Sequence, residues 1–177
     1  MAISKSAYSV AGKIGKVEGH TIVVWVDNEA GVLARVVGLF SGRGYNIDSL
    51  AVAEVDKKNN LSRITIVTSG SPQVIEQIKL QLKKLVPVHK VADFPQNKTL
   101  FRELALLKVI SNEKKRDKAK KICKKYNSLI LDKTKKSFVV EVAALRKEID
   151  KLIILLQPLG LASVSRTGVV AMSKGSE

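Results

Sequence analysis

The stretch WVDNEAGVLARVVGLFSGRGYNI, residues 25–47, decides the fold of this chain. An apolar strand ends at Asp27, and after a tight turn the apolar spacing that starts at Val32 predicts a short amphipathic helix. A glycine cluster that ends at Gly44 follows this helix. Glycines after a helix terminate it, whereas a phosphate-binding glycine loop would precede the helix. The stretch therefore predicts a strand, a helix and a second strand that begins at Tyr45.

The turn before the helix is the part of this stretch that could bind a ligand. A helix that starts directly after a strand leaves its first N–H groups unpaired at the positive end of its dipole, which suits a carboxylate. Gly31 permits a positive φ and a close approach of a ligand to the backbone. Asp27 and Asn28 could meet an ammonium group, but an Asx-type cap with a tight turn explains the same residues without a ligand. Both interpretations are open on the local sequence, and the cap is the commoner feature.

Composition excludes several classes of protein. The single cysteine, Cys123, rules out an intrachain disulfide and a cysteine-based zinc cluster, and no apolar run approaches the roughly 18 residues that cross a bilayer. We therefore expect a soluble, cytoplasmic protein. The net charge of +15 is uneven, because residues 97–177 carry 19 basic and 8 acidic residues whereas residues 1–96 carry 12 and 8. Such an excess of positive charge is expected of a protein that binds an anionic partner, but it can also reflect a lysine-rich composition without a function in binding.

Two successive halves of the chain show the same order of elements. Each reads strand, helix, strand, strand, helix, strand, which predicts an α+β fold of two tandem ferredoxin-like βαββαβ domains. We expect a disordered tail over residues 1–19, a first domain over 20–95, a linker over 96–101 and a second domain over 102–177. The second domain is predicted to start with a strand at Glu103 and to end with a strand over residues 161–172, interrupted at Gly168.

No set of residues suited to catalysis or metal binding stands out. His20 and His89 have no neighbouring Asp, Cys or second His in the sequence, and Cys123 lies on the apolar face of a predicted helix. The lysine-rich helix over residues 114–125 is the one surface that could bind a polyanion. Its solvated outer face is the favoured explanation, because arginines and stacking aromatics are scarce.

Several motifs together resemble one known family. They are DNEAGVLARVVGLFSGRGYNIDSLAVAEVD, LSRITIVTSG, VIEQIKLQLKKLVPVHKV, RELALLKV and SRTGVVAMSKG, spread between residues 20 and 175. The chain resembles the regulatory small subunits of acetolactate synthase (acetohydroxyacid synthase), and its first domain resembles an ACT domain.

The resemblance implies a non-catalytic subunit in valine, leucine and isoleucine biosynthesis. Such a subunit forms a homodimer through its ACT domains, activates a large catalytic subunit and confers feedback inhibition by valine or another branched-chain amino acid. It implies no cofactor and no metal in this chain, with thiamine diphosphate, Mg²⁺ and FAD in the large subunit, and no membrane. A basic nucleic-acid-binding module that uses the helix over residues 114–125 is the alternative function.

The resemblance also implies the effector-binding residues, which lie between two ACT domains. One chain supplies Asn28, Ala30, Gly31, Val32 and Leu33, and the other supplies Asn46 and Ile47. Backbone N–H groups of residues 31–33 would hold the effector carboxylate, and the side chains of Val32, Leu33 and Ile47 would line a small apolar pocket. The matching turn of the second domain, residues 111–115, has no glycine, so we do not expect it to bind the same ligand in the same way.

Overall fold

The computed structural model describes residues 17–175, which form two α+β units in tandem. The first unit consists of β1 (Glu18–Asp27), α1 (Val32–Ser41), β2 (Ser49–Asp56), β3 (Leu61–Gly70), α2 (Pro72–Leu82) and β4 (Val88–Asp93). The second consists of β5 (Thr99–Ile110), α3 (Glu113–Lys124), β6 (Leu129–Lys133), β7 (Ser137–Ala144), α4 (Arg146–Leu156), β8 (Leu161–Arg166) and β9 (Val170–Ser173). Within residues 17–175 no helix is long and apolar enough to cross a membrane.

The predicted tail over residues 1–19 falls mostly outside the described part of the chain, which starts at residue 17. Its last two residues are not a tail. Glu18 and Gly19 belong to β1, where they pair with Gly70 and Ser69 at the end of β3. The strand is longer than predicted because its partner offers backbone groups up to Gly70, and the exposed side chains of this end gave no apolar signal.

Each unit has one antiparallel sheet with two helices on one face. The strand order is β2-β3-β1-β4 in the first unit and β6-β7-β5-β8 in the second, which is the same order shifted by four strands. This confirms the predicted pair of ferredoxin-like folds. In the first unit Ile22, Val24 and Val26 of β1 face the helices and are buried, each apolar side chain contributing roughly 1.5–3 kcal/mol on burial.

The core of the second unit is equally apolar and holds the cysteine. Leu107, Phe138 and Leu152 come from a central strand, a neighbouring strand and a helix, and all three are fully buried. Cys123 of α3 packs among them, as predicted from its place on the apolar face. Burial raises the pKa of the Cys123 thiol to about 11, so this thiol stays protonated at neutral pH and behaves as a small hydrophobic side chain.

Helix α1 begins and ends where the glycines predict, but the strand after it starts later than expected. Tyr45 is not yet in β2, because its N–H donates to the Phe40 carbonyl at 3.0 Å and its ring packs edge-on against Phe40. The next residue, Asn46, accepts a bond from Thr68 Oγ1 through its carbonyl oxygen. Residues 45–48 therefore close the helix and dock onto β3, and β2 begins at Ser49.

The predicted linker over residues 96–101 is shorter in the structure. Residues 96–98 make a single 3-10 turn, and β5 starts at Thr99, four residues before the predicted Glu103. The reason is non-local: residues 99–102 pair with β9 from the C-terminal end. The interruption expected at Gly168 is present, with φ of 81°, and it separates β8 from β9.

Candidate functional site

The corner at Gly31 is open and has no side-chain cap. Gly31 occupies the position before α1 with φ 85° and ψ −10°, a left-handed backbone that a glycine permits. A Cβ added there would meet nothing within 4 Å, and the residue is exposed. The N–H of Val32 reaches only the Glu29 carbonyl, at 3.3 Å. The positive end of α1 therefore faces open space without a side chain to neutralise it, which suits a small anion.

Asn28 does not cap the helix. Its Nδ2 donates to Glu54 Oε1 at 3.3 Å, and its Oδ1 accepts a hydrogen bond from Ser62 Oγ at 3.0 Å. The Asp27 carboxylate is also turned away, with Oδ1 lying 2.5 Å from His89 Nε2. The Asx-type cap is therefore the wrong interpretation of this turn, because β2, β3 and β4 engage both candidate side chains.

Glu54 is a neighbour of the site that the sequence analysis did not select. It lies opposite Ser62 in the β2–β3 pairing, and both touch Asn28. The register of β2 against β3 shifts between Glu54 and Asp56, and the pairing beyond this irregularity brings Glu54 opposite Ser62, which the local sequence does not reveal. An exposed carboxylate beside an amide oxygen gives the corner a place for an ammonium group.

The predicted apolar lining is only partly available. Val32 is 3 % exposed and packs into the core of the first unit, so it can offer a ligand its backbone but not its side chain. Val32 faces inward because it opens the buried stripe of α1, together with Val36 and Phe40. Leu33, by contrast, is 40 % exposed and lies beside the corner. Ala30 is exposed in the turn itself.

Asn46 and Ile47 lie far from the corner in the same chain. Asn28 is held at Ser62, near the start of β3, whereas Asn46 is held at Thr68, near its end. Six residues of extended strand separate these two anchors, which is about 20 Å at roughly 3.3 Å per residue. Ile47 packs half-buried on the core. A single chain therefore does not bring the two halves of the predicted site around one small molecule.

The cleft between the two units and the histidines add no residue to the predicted site. A cleft of about 1130 Å³ separates the two units, but none of the seven predicted site residues lines it. The structure pairs His20 with Asp93 as well as His89 with Asp27, at strand ends where the sequence showed no partner. In the described part of the chain, no three His, Cys, Asp or Glu side chains are grouped so that they could hold a metal ion.

Comparison with known families matches both units. Residues 22–90 match a family model described as an AHAS small subunit-like ACT domain, and residues 102–175 match one described as the small subunit of acetolactate synthase. The two matches follow the two sheets seen in the structure.

Relatives match over nearly the whole chain. The chain is 39 % identical to a probable acetolactate synthase small subunit of Archaeoglobus fulgidus, covering 89 % of this chain and 98 % of the relative. It is also 39 % identical to the acetolactate synthase isozyme 3 small subunit of Escherichia coli, covering 87 % and 94 %. The crystal structure of an acetolactate synthase small subunit from Thermotoga maritima superposes with a TM-score of 0.83 at 32 % identity, covering 90 % and 99 %.

Proposed function

The chain belongs to the family of acetolactate synthase small subunits, and from this premise we propose that it is a non-catalytic regulatory subunit controlled by a branched-chain amino acid. It binds the large catalytic subunit, raises the activity of that subunit and lowers it again when valine, leucine or isoleucine is bound. The thiamine diphosphate, Mg²⁺ and FAD belong to the large subunit.

The open corner at Gly31 is the observation that supports effector binding. An α-amino acid has a carboxylate, an ammonium group and a side chain, and each has a candidate contact here. The uncapped N-terminus of α1 suits the carboxylate, the Glu54 and Asn28 oxygens suit the ammonium group, and Leu33 offers apolar surface. Small aliphatic side chains fit this chemistry better than charged ones.

A dimer through β2 would complete the site. β2 is the last strand of its sheet, and Val52 and Val55 on it are exposed. If a second copy pairs with it in antiparallel fashion, the start of one β2 lies beside the end of the other. Asn46 and Ile47 precede the start of β2, and Glu54 lies near its end beside Asn28. Antiparallel pairing thus brings the two halves, separated within one chain, together across the interface.

Such a site couples effector occupancy to the arrangement of the dimer. A ligand held by both protomers binds one relative orientation better than another, so its binding shifts the population toward that orientation. The large subunit, docked on the dimer, then responds to the change in population. We propose that feedback inhibition works in this way.

Titration calorimetry with valine, leucine and isoleucine tests the proposal. We expect heat from at least one of them at submillimolar to millimolar concentration, and inhibition of the holoenzyme reconstituted with the large subunit. Gly31→Asp places a carboxylate at the corner and should weaken the effector response at least tenfold by charge repulsion and steric block. Asn28→Ala should weaken it less.

Gly175→Asp is the matched control, because Gly175 also has a positive φ, of 80°, with nothing within 4 Å of an added Cβ. It should leave effector binding unchanged. Absence of heat and of any change in melting temperature at millimolar concentrations of all three amino acids would remove the effector from the proposal. Equal inhibition of wild-type and Gly31→Asp holoenzyme would move the site elsewhere.

A further inference from the structure

The edge strand of the second sheet exposes three consecutive large apolar side chains, which border the edge from both faces of the sheet because side chains alternate along a strand. Leu129, Ile130 and Leu131 are consecutive in β6 and are 61 %, 43 % and 51 % exposed. β6 is the terminal strand of its sheet and pairs only with β7 among the described residues, so its outer edge is free. Three adjacent exposed apolar residues on a free edge need either protection or a partner.

Lysines surround this edge. Residues 113–136 contain eleven basic and three acidic residues, a net charge of +8, and nine of the lysines are exposed. Six of the nine lie on α3 or directly after it, and three lie at the β6–β7 turn. We call the three exposed apolar residues of β6, together with these nine lysines and Arg116, the β6 surface.

Two contacts join α3 to the β6–β7 turn and to β7. The Arg116 guanidinium donates to the carbonyl of Lys135 in the β6–β7 turn, and Lys120 Nζ lies 5.9 Å from the centre of the Phe138 ring in β7. The other end of α3 leads through residues 125–128 directly into β6. The lysines at the start of the helix and those of the turn therefore lie close together, on either side of the Arg116–Lys135 contact.

We infer that the β6 surface is the docking site for an acidic surface of the large catalytic subunit, an inference that rests on the proposed function. Protein interfaces commonly combine exposed apolar side chains with charged residues at their margin. The partner that fits has apolar residues surrounded by Asp and Glu, since these neutralise the +8 charge. Complementary charges also raise the rate of association.

Charge decides between this partner and two others. A second copy of this chain would bring two +8 surfaces together, so like charges oppose self-association here. A nucleic acid is disfavoured because the one arginine of the surface, Arg116, is engaged by Lys135. In addition, the aromatic residues beside it, Tyr126 and Phe138, are half-buried and buried, so they offer no exposed face for bases to stack on. Edge lysines can also simply prevent aggregation, a role that requires no partner.

Binding of the full chain to its large subunit, measured between about 0.05 and 0.3 M salt, separates these possibilities, because the screening of charges increases over this range. Lys118→Glu with Lys121→Glu reverses two exposed charges on α3. We expect about tenfold weaker binding at the lowest salt and a shallower salt dependence. Leu129→Ser should weaken binding about tenfold at every salt concentration, because it removes apolar contact and no charge.

Matched controls lie in the first unit. Lys83→Glu with Lys84→Glu makes the same change of charge on exposed lysines at the end of α2, and Val86→Ser removes an apolar side chain that is 96 % exposed. Both should bind within about twofold of wild type. Melting temperature and circular dichroism establish that each variant is folded.

Outcomes for the inference and for the proposed function can be told apart. If the wild type binds the large subunit and the α3 and β6 variants bind it equally tightly, the inference is overturned while the proposed function stands. If those variants instead lose only retardation of a single-stranded RNA, the surface binds nucleic acid and the inference is again overturned. A wild type that neither binds nor activates the large subunit overturns both. Effector heats should be the same in wild type and variants.

Discussion

At the scale of single residues, two glycines share a left-handed backbone for different reasons. Gly31, with φ 85°, has open space where a Cβ would be, whereas a Cβ at Gly160, with φ 96°, would overlap the carbonyl oxygen of Ile110. Gly160 is held there because its own carbonyl accepts the Ile110 N–H at 2.8 Å. The first glycine leaves room for something outside the chain, and the second is required by packing within it.

Alanine substitutions should separate these two roles. Gly31→Ala brings only the strain of a left-handed alanine, about 1–2 kcal/mol in the free energy of unfolding. Gly160→Ala adds displacement of the β5 backbone and should cost more than about 3 kcal/mol, or prevent folding. Urea unfolding followed by circular dichroism measures both. Equal losses of stability would contradict the assignment of open space to Gly31.

At the scale of elements, one arginine ties β8 to β5 and α4. Arg166 donates from Nε and Nη2 to the two carboxylate oxygens of Glu103, both at 2.7 Å, and from Nη1 to Asp150 at 2.6 Å. The Glu103 hydrogen bonds, followed by the contact with Asp150, raise the pKa of Arg166, opposed by partial burial. Glu103 is only 4 % exposed, so Arg166 is the counter-charge of a nearly buried carboxylate.

Removal of Arg166 should therefore lower the free energy of unfolding far more than removal of Asp150, its more exposed partner. Arg166→Leu leaves the Glu103 carboxylate buried and unpaired, which should destabilise the chain by about 3–5 kcal/mol. Asp150→Ala breaks a half-exposed pair and should cost under about 1 kcal/mol. Chemical denaturation at neutral pH measures both. Arg166→Leu with Glu103→Leu should recover much of the lost stability, since no charge is then stranded; failure to recover would mean that packing, not charge, dominates.

At the scale of the whole molecule, the C-terminal segment joins the two units. The Val169 N–H donates to Ser49 Oγ at 2.9 Å, and the Arg63 guanidinium donates to the Ala171 carbonyl. Arg63 also stacks on Trp25, 5.3 Å from the ring centre. Burial lowers the pKa of Arg63, and the residue remains cationic because an arginine titrates so far above neutrality. Ser49 lies two residues after Ile47, so the segment that carries half of the proposed effector site also contacts the second unit.

This contact depends on Gly168. A Cβ there would lie 2.8 Å from Ser49 Oγ and 3.0 Å from the Leu50 carbonyl oxygen. Gly168→Ala should therefore separate β9 from β2 and speed amide hydrogen exchange at Val169 at least tenfold, measured by NMR or mass spectrometry. Gly175→Ala, at a positive φ with open space, is the control and should leave exchange at Val169 unchanged. Unchanged exchange in Gly168→Ala would show that the contact contributes nothing to holding the units together.

Local sequence predicted those features that depend on neighbours along the chain. Helix α1 begins after Gly31 and ends before Gly42, as expected, because a left-handed glycine and a glycine cluster act within one turn of themselves. The strand order follows from the repeated βαββαβ pattern, since few ways of burying those apolar faces exist.

Tertiary structure alone decided what depends on distant partners. Thr99 belongs to a strand only because β9 returns to pair with it, and Asn28 gives up its capping role only because Glu54 and Ser62 are close. The roughly 20 Å between the two halves of the proposed site likewise follows from the register of β3, which joins residues far apart in sequence. Hydrogen-bond partners and interfaces depend on residues that only the folded chain brings together, whereas turns, caps and apolar periodicity depend on residues that are close in sequence.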